Sequence, residues 1–563
     1  MPTRAKPETR ATRHMIVVLG DQLSHTSAAL RDLDPARDTV VMMEVQQEST
    51  HVPSHKARTV LFLSAMRHFA AELRDRGVRV WYTSLDDPHN THGFMGEVQR
   101  ASKELTPSRI VLTQPGEYRI ARDFAAWEQQ RGIPVEIRED DHFLTTHEQF
   151  ARWAKGRKEL TMEFFYREQR KRLNILMDPD GKAPLSGTWN YDHDNRQSFG
   201  KSGPSPRPRK PLAFEPDSIT RDVMQAVNSM LPQLPGSLDN FAWPVTREQA
   251  LLALKDFIKH RLPSFGPFED AMWTSEPVLY HSMLSAALNL KLLHPRECVD
   301  AALTAHAKGA APLQSVEAFI RQIIGWREFI RGVYWLEGES YNARNYLNQH
   351  GSLPSFYWTG DTSMRCMREC ISQVVATGHA HHIQRLMVMG NFALTSGVHP
   401  RAISDWFLAM YVDAIDWVTL PNTLGMVMHA DGTATKKPVV GTKPYCSSGQ
   451  YIKKMSNYCS DCKFDPSKRT GDDACPFTVF YWDFLLRHRD KFSKNPRMAQ
   501  ILGNLDRFGE SNLQQITISA TRLRKQFGIG DIAKPRTDAE ASGRTYTPGT
   551  GSPDRSAAST LFG

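Results

Sequence analysis

Met15-Ile16-Val17-Val18-Leu19 runs directly into Gly20-Asp21-Gln22-Leu23, and this junction decides the fold class. A short apolar run rich in β-branched side chains, closed by a turn-forming pair, is the pattern of a strand buried on both faces. Similar runs follow at residues 39–45, 78–85, 109–113 and 134–138. Between them, residues 58–76, 93–105 and 117–131 carry apolar side chains at helical spacing. Strands alternating with helices predict an α/β domain over residues 14–142, built on a doubly wound parallel sheet. Ligands of such sheets sit at the carboxyl ends of the strands. Gly20, Asp21, Gln22, Glu44 and Glu117 fall at those ends. No G-x-G-x-x-G follows the first strand, which argues against an ordinary dinucleotide site.

Beyond residue 142 the strand signal stops. Residues 143–245 read as interdomain helices and an extended linker, and within them residues 160–173 interleave aromatic with basic side chains. Arg167 and Lys171 there suit a nucleic-acid backbone, although a solvated basic helix face would look the same. Residues 246–528 read as almost wholly helical and residues 529–563 as a disordered tail rich in Ser, Thr, Gly and Pro. The densest part, residues 313–337, threads Glu317, Arg321, Arg327 and Arg331 through apolar residues. That is costly unless the polar groups meet each other or a polar ligand.

At 563 residues the chain is long for one core. A formal charge of +9 favours a polyanionic partner. No apolar run is long enough for a bilayer, and the first thirteen residues lack a signal core, so the expectation is a cytoplasmic protein with no membrane role. Seven cysteines, an odd number, argue for metal or redox use over a disulfide framework. Cys459-Ser460-Asp461-Cys462 can grip one centre, and Cys475-Pro476 can close on it. The fourth ligand is open among Cys446, Cys370 and Cys366. No histidine lies between Cys459 and Cys475, which lowers zinc and raises iron–sulfur.

Specific motifs sharpen this. Ser282-Met283-Leu284-Ser285, residues 316–322 (VEAFIRQ), residues 325–329 (GWREF), residues 380–387 (AHHIQRLM) and residues 441–445 (GTKPY) resemble the photolyase/cryptochrome superfamily. Together with the cysteine run, they resemble its iron–sulfur bacterial branch, whose repair members act on pyrimidine 6-4 photoproducts. The resemblance covers residues 14–525. It implies an all-α C-terminal domain that binds FAD through Ser282, Leu284, Ser285, Glu317, Arg321, Arg327, Asn391 and Asp413. Plain N-capping is the alternative role for the two serines. It also implies a [4Fe-4S] cluster on Cys366, Cys459, Cys462 and Cys475, with Cys370 the rival to Cys366. A 6,7-dimethyl-8-ribityllumazine antenna is implied at Gly20, Asp21, Gln22, Glu44 and Glu117.

The same resemblance implies a monomer that acts on UV-damaged DNA, with His381 and His382 at the lesion and Trp406 and Trp358 carrying charge to the flavin. Two departures stand out. Thr419 occupies the position where relatives place Asn or Glu near flavin N5, and Phe407 stands beside Trp406 where a Tyr is found. The rival readings are a blue-light photoreceptor without repair and an iron–sulfur DNA-processing enzyme such as a primase subunit.

Overall fold

The structure is a computed structural model that describes residues 12–205 and 207–533. The expected tail lies outside the described residues except at its first five positions. All five expected strands are present: β1 (His14–Val17), β2 (Thr39–Met43), β3 (Val80–Thr83), β4 (Arg109–Thr113) and β5 (Val135–Arg138). They form one parallel sheet of order β3-β2-β1-β4-β5. Side chains alternate across it. Ile16, Val18, Val40, Met42 and Val111 join the large core shared with the helical part, whereas Met15, Val17, Val41, Ile110 and Leu112 join a smaller core on the other face. Helix α1 (Lys56–Asp75) covers the first face; α2 (Phe94–Leu105) and α3 (Tyr118–Arg131) cover the second.

The strand order reverses between β1 and β4, which opens the crevice where doubly wound sheets hold ligands. Here the helical domain occupies that crevice. A Cβ on Gly116 would stand 3.0 Å from Trp417 and 3.1 Å from Ile415, so only glycine permits the approach. Leu23 N donates to Leu290 O at 3.1 Å, and Tyr118 N to the Tyr334 hydroxyl at 3.0 Å. Lys291 and Asp140, both buried, pair at 2.7 Å across the same seam. His55, at the start of α1, adds a pin: its N–H donates to Ala409 O and its ring meets Val375 O at 2.9 Å.

The expected helical stretch after residue 142 is two helices, α4 (His147–Ala154) and α5 (Met162–Leu173), broken at Lys155 and Gly156. Among the described residues no regular element lies between Gly187 and Ser218, in keeping with an extended crossing. From Arg247 onward the described residues are helical apart from turns and isolated bridges. No helix among them is long and apolar enough to cross a membrane.

Candidate functional site

Three helices of this domain are interrupted by π-helical segments, at Arg321–Arg327, Gln384–Gly390 and Asn422–Val427. A π segment inserts one residue into the helical ladder and re-aims the side chains beyond it, and such segments recur at functional sites. The first two coincide with the motifs singled out from sequence.

Arg385, inside the second, grips Asp413 with two nitrogens at 3.0 and 3.1 Å. Ser285 Oγ donates to the same carboxylate at 2.6 Å, and Asn289 Nδ2 to the Asp413 carbonyl at 2.8 Å. Burial, the largest single influence, would raise the Asp413 carboxyl, but the charge and hydrogen bonds of Arg385 together with the Ser285 hydroxyl hold the group below its usual range. The Arg385 guanidinium also lies 3.8 Å from the Tyr411 ring centre. Ser282 Oγ accepts from Leu284 N at 3.4 Å, and Met283 between them adopts φ +61°, a strained conformation for a side chain of this kind. The helix that begins at Ser285 has five residues. The serines therefore serve the Asp413 network and the turn, with little helix dipole available for a pyrophosphate.

Glu317 accepts from the Tyr166 hydroxyl at 2.9 Å and from Tyr191 N at 3.4 Å, and Arg321 Nε lies 3.6 Å away. Arg321 reaches Asp192, and its buried Nε has no hydrogen-bond partner. Asn391 is engaged three times by Ser447, donating to its carbonyl at 2.9 Å and its Oγ at 3.3 Å and accepting from its N–H at 3.1 Å. Arg327, expected beside the cofactor, points elsewhere. It stacks 4.1 Å from the Phe143 ring centre and 5.2 Å from that of Trp417, at the domain seam.

His381 and His382 belong to a larger group. His281 stacks face to face on His381, with centroids 4.3 Å apart and planes 12° apart, and His379 stands near both. Both ring nitrogens of His381 are buried without a partner, as is Nε2 of His281 and of His379. Burial, then the neighbouring histidines, pushes His381 well below the usual imidazole range and His281 to about 3; burial with Arg385 takes His379 to about 3. All three are neutral near pH 7. His382 is exposed at the surface, while the protein packed around it and then the Arg385 charge lower it to about 4. Exposure is the better guide to ligand contact, so His382 is open to a ligand, as is Ser285, which is exposed as well.

Trp406 is fully buried with its indole N–H unpartnered, and its ring neighbours are Tyr357 at 5.2 Å, Phe407 at 5.6 Å and Tyr411 at 5.9 Å. Trp358 follows Tyr357 in the short helix Phe356–Thr359 and is half-buried. Thr419 is buried below the third π segment, its carbonyl accepting from Thr423 Oγ1 at 2.8 Å.

Cys366, Cys459, Cys462 and Cys475 line one cavity, walled by Met364, Ile452, Phe464 and Phe477. Cys370 and Cys446 are not among the lining residues. A Cβ on Gly449 would stand 2.8 Å from the Cys475 sulfur, so the backbone comes in as close as glycine allows. Among the described residues no three His, Cys, Asp or Glu side chains stand close enough to share a single metal ion.

The five residues expected at an antenna do not form one cradle. Glu44 is fully buried, its oxygens taken by Arg67 at 2.6 and 2.9 Å, Tyr82 at 2.6 Å and Leu85 N at 2.7 Å. Gln22 Nε2 donates to the carbonyls of Thr113 and Gln114 at 3.0 and 3.1 Å, tying the β1 turn to that of β4. A Cβ on Gly20 would meet Met66 at 3.1 Å and Phe62 at 3.3 Å. Glu117 pairs with Arg119 at 2.8 Å, and Asp21 lines a small cavity at the seam with Asp140, Lys291, Arg327 and Trp417.

On α5, Arg167 lies 5.3 Å and Lys171 5.6 Å from the Trp189 ring centre, and Phe164 beside them is 53% exposed. These four make one basic and aromatic patch. Trp189, His281 and Arg385 were not singled out from sequence; His281 directly precedes the serine motif, and Arg385 lies inside the double-histidine motif.

A family model described as deoxyribodipyrimidine photo-lyase-related protein matches residues 16–243. A protein of Agrobacterium fabrum named (6-4) photolyase is 48% identical over 512 residues, 91% of this chain and 99% of that protein. An uncharacterised protein of Acanthamoeba polyphaga mimivirus is 31% identical over 106 residues, 19% of this chain. The crystal structure of a bacterial class III photolyase from Agrobacterium tumefaciens superposes with a TM-score of 0.52 at 14% identity, covering 93% of this chain and all of that one, which speaks to the fold alone.

Proposed function

The chain belongs to the photolyase/cryptochrome family, and from that premise we propose that it repairs DNA with light, acting on pyrimidine 6-4 photoproducts. The observation that carries this is the buried histidine cluster with unpartnered nitrogens, in a chain 48% identical to a (6-4) photolyase. Photolyases imply FAD, and the helical domain offers it unspent polar atoms: buried nitrogens on Arg321, His381 and Trp406 have no partner in the protein. Arg321, with its unpartnered Nε, and the exposed Ser285 would touch it, held in place by Glu317, Asn391 and Asp413, whose polar atoms are bonded within the protein, and when bound and reduced it supplies the photoexcited electron.

The residues do the rest. Splitting a cyclobutane dimer needs only an electron, whereas reversing a 6-4 product must return a hydroxyl or amino group from one base to the other, and so needs a positioned proton. His382, open to a ligand, is placed to offer its ring N–H to that group. His381, neutral and stacked on His281, can hold the proton at one nitrogen and pass it from the other. Lesions flip out at least cost where pairing is already broken. Arg167 and Lys171, with Phe164 and Trp189, would seat the strand through phosphate contact and stacking. A blue-light receptor without repair would not need this histidine cluster, and an iron–sulfur primase subunit would need no flavin chamber.

The four cysteines would hold a [4Fe-4S] cluster that crosslinks the helix Arg365–Thr377 to the loop at residues 459–475. No step is derived through a lumazine antenna: Glu44, Gln22 and Glu117 are engaged within the protein, and Asp21 alone of the five lines the small cavity at the seam. The test is repair of a 6-4 oligonucleotide under blue light. His381→Ala and His382→Ala should each lower the rate at least about a hundredfold, the range of a general acid. Unimpaired repair by both variants would overturn the assignment.

A further inference from the structure

We propose that Gln373 and Gln384 are positioning residues that set the lesion-side histidines in register with the cysteine site. The proposal rests on His381 and His382 facing the lesion, as argued above. The two side-chain amides bond each other reciprocally: Gln373 Nε2 donates to Gln384 Oε1 at 3.2 Å, and Gln384 Nε2 to Gln373 Oε1 at 3.0 Å. Their remaining capacity reaches each segment of the chamber. Gln384 Oε1 accepts from His381 N at 3.1 Å, the contact that a glutamine in the first turn makes back to the residue capping its helix. Gln373 Nε2 also reaches the carbonyl of His379 at 3.0 Å and that of Pro277 at 3.3 Å, in the segment that leads to His281. Gln384 Nε2 donates to the Tyr458 hydroxyl at 3.3 Å.

Both outer ends of this hub are fixed to the cysteine site. Tyr458 directly precedes Cys459, and Gln373 lies on the helix Arg365–Thr377 whose first turn carries Cys366. Gln384 is 1% exposed and opens the π segment Gln384–Gly390. A buried amide pair with this many partners tolerates little displacement, since any shift leaves polar groups unpaired. Movement of the cysteine loop would therefore reach the His281–His381 stack through two side chains. The sequence distance from Cys459 to His381 gives no hint of this connection.

The test uses the flavin-loaded full chain with Gln384→Leu, Tyr458→Phe and the double variant. In a crystal structure of Gln384→Leu the His281–His381 stack should be lost, a readout independent of any repair activity. Repair of bound 6-4 lesion under saturating light should fall about tenfold in Gln384→Leu and about threefold in Tyr458→Phe, the size of one neutral hydrogen bond, with lesion Kd and iron content unchanged. The double variant should fall only about tenfold, because one relay is cut twice, whereas independent effects would multiply to about thirtyfold. An intact stack in Gln384→Leu, or multiplicative losses, would overturn the proposal. Should Gln384→Leu not fold, a wild-type repair rate in Tyr458→Phe overturns it. A wild type that repairs no 6-4 lesion refutes the functional reading instead, and leaves the stack as the test of the hub.

Discussion

Glu44 and His381 are both buried polar side chains that sequence reasoning assigned to a ligand, and they turn out to be opposites. Glu44 spends its carboxylate on Arg67, Tyr82 and the Leu85 amide, whereas His381 offers two buried nitrogens to nothing in the protein. A buried polar group with a full set of partners is part of the architecture; one without them is held ready for something else. Burial and residue type alone do not separate the two cases. The partner count does.

The largest effect expected is at the cysteines, which contribute through the group they would bind. Cys459→Ser or Cys462→Ser should give insoluble or iron-free protein, read by iron per chain after anaerobic purification. Full iron in either variant would remove that residue from the ligand set. Glu44→Ala comes next. It strands the Arg67 guanidinium in the sheet domain and should destabilise the protein by about 3–5 kcal/mol, seen as a lower Tm with flavin content unchanged in the folded fraction. A bound chromophore lost with no change in Tm would instead make Glu44 a ligand residue and erase the contrast.

The contrast also has a pH signature. Burial lowers His281 from its usual 6.5 to about 3, so its contribution to stability is present above pH 6.5 and is lost as pH falls toward 3. At the seam burial raises Asp21 from 3.8 to about 6 and Asp416 to about 7, so theirs is present below 3.8 and is lost as pH rises through 6 to 7. Relative to wild type, His281→Phe should gain Tm at pH 5 more than at pH 7.5, and Asp21→Asn at pH 7.5 more than at pH 5. Parallel shifts in the two variants would show that the seam and the chamber are electrostatically alike. The smallest effect is on the surface: Lys171→Ala should weaken DNA binding evenly across sequences and reduce the salt slope by about one.

Much of this was legible in the chain. Alternating apolar runs at residues 15–19 and 39–45 specify strands buried on both faces, and the sheet has them in place. Helix boundaries at 93–105 and 117–131 fall within one residue of those found. The failures have physical causes. Strand ends predict a ligand crevice; the second domain packs into it beside Gly116 and leaves only a small cavity lined by Asp21, and a long-range contact of that kind leaves no local signature. Arg327, expected at the cofactor from the family resemblance, stands at the domain seam at the end of the π segment Arg321–Arg327. His281 and Gln373 join the site through the fold alone, far from His381 in one case and on a helix known only for its cysteine in the other.

The central claim is that this chamber serves the 6-4 photoproduct. The most direct measurement is product analysis after blue light, with flavin-loaded wild type and two oligonucleotides, one bearing a 6-4 product and one a cyclobutane dimer. Restored pyrimidines from the 6-4 strand, with the dimer untouched, are the predicted result; repair of the dimer alone, or of neither strand, would contradict it.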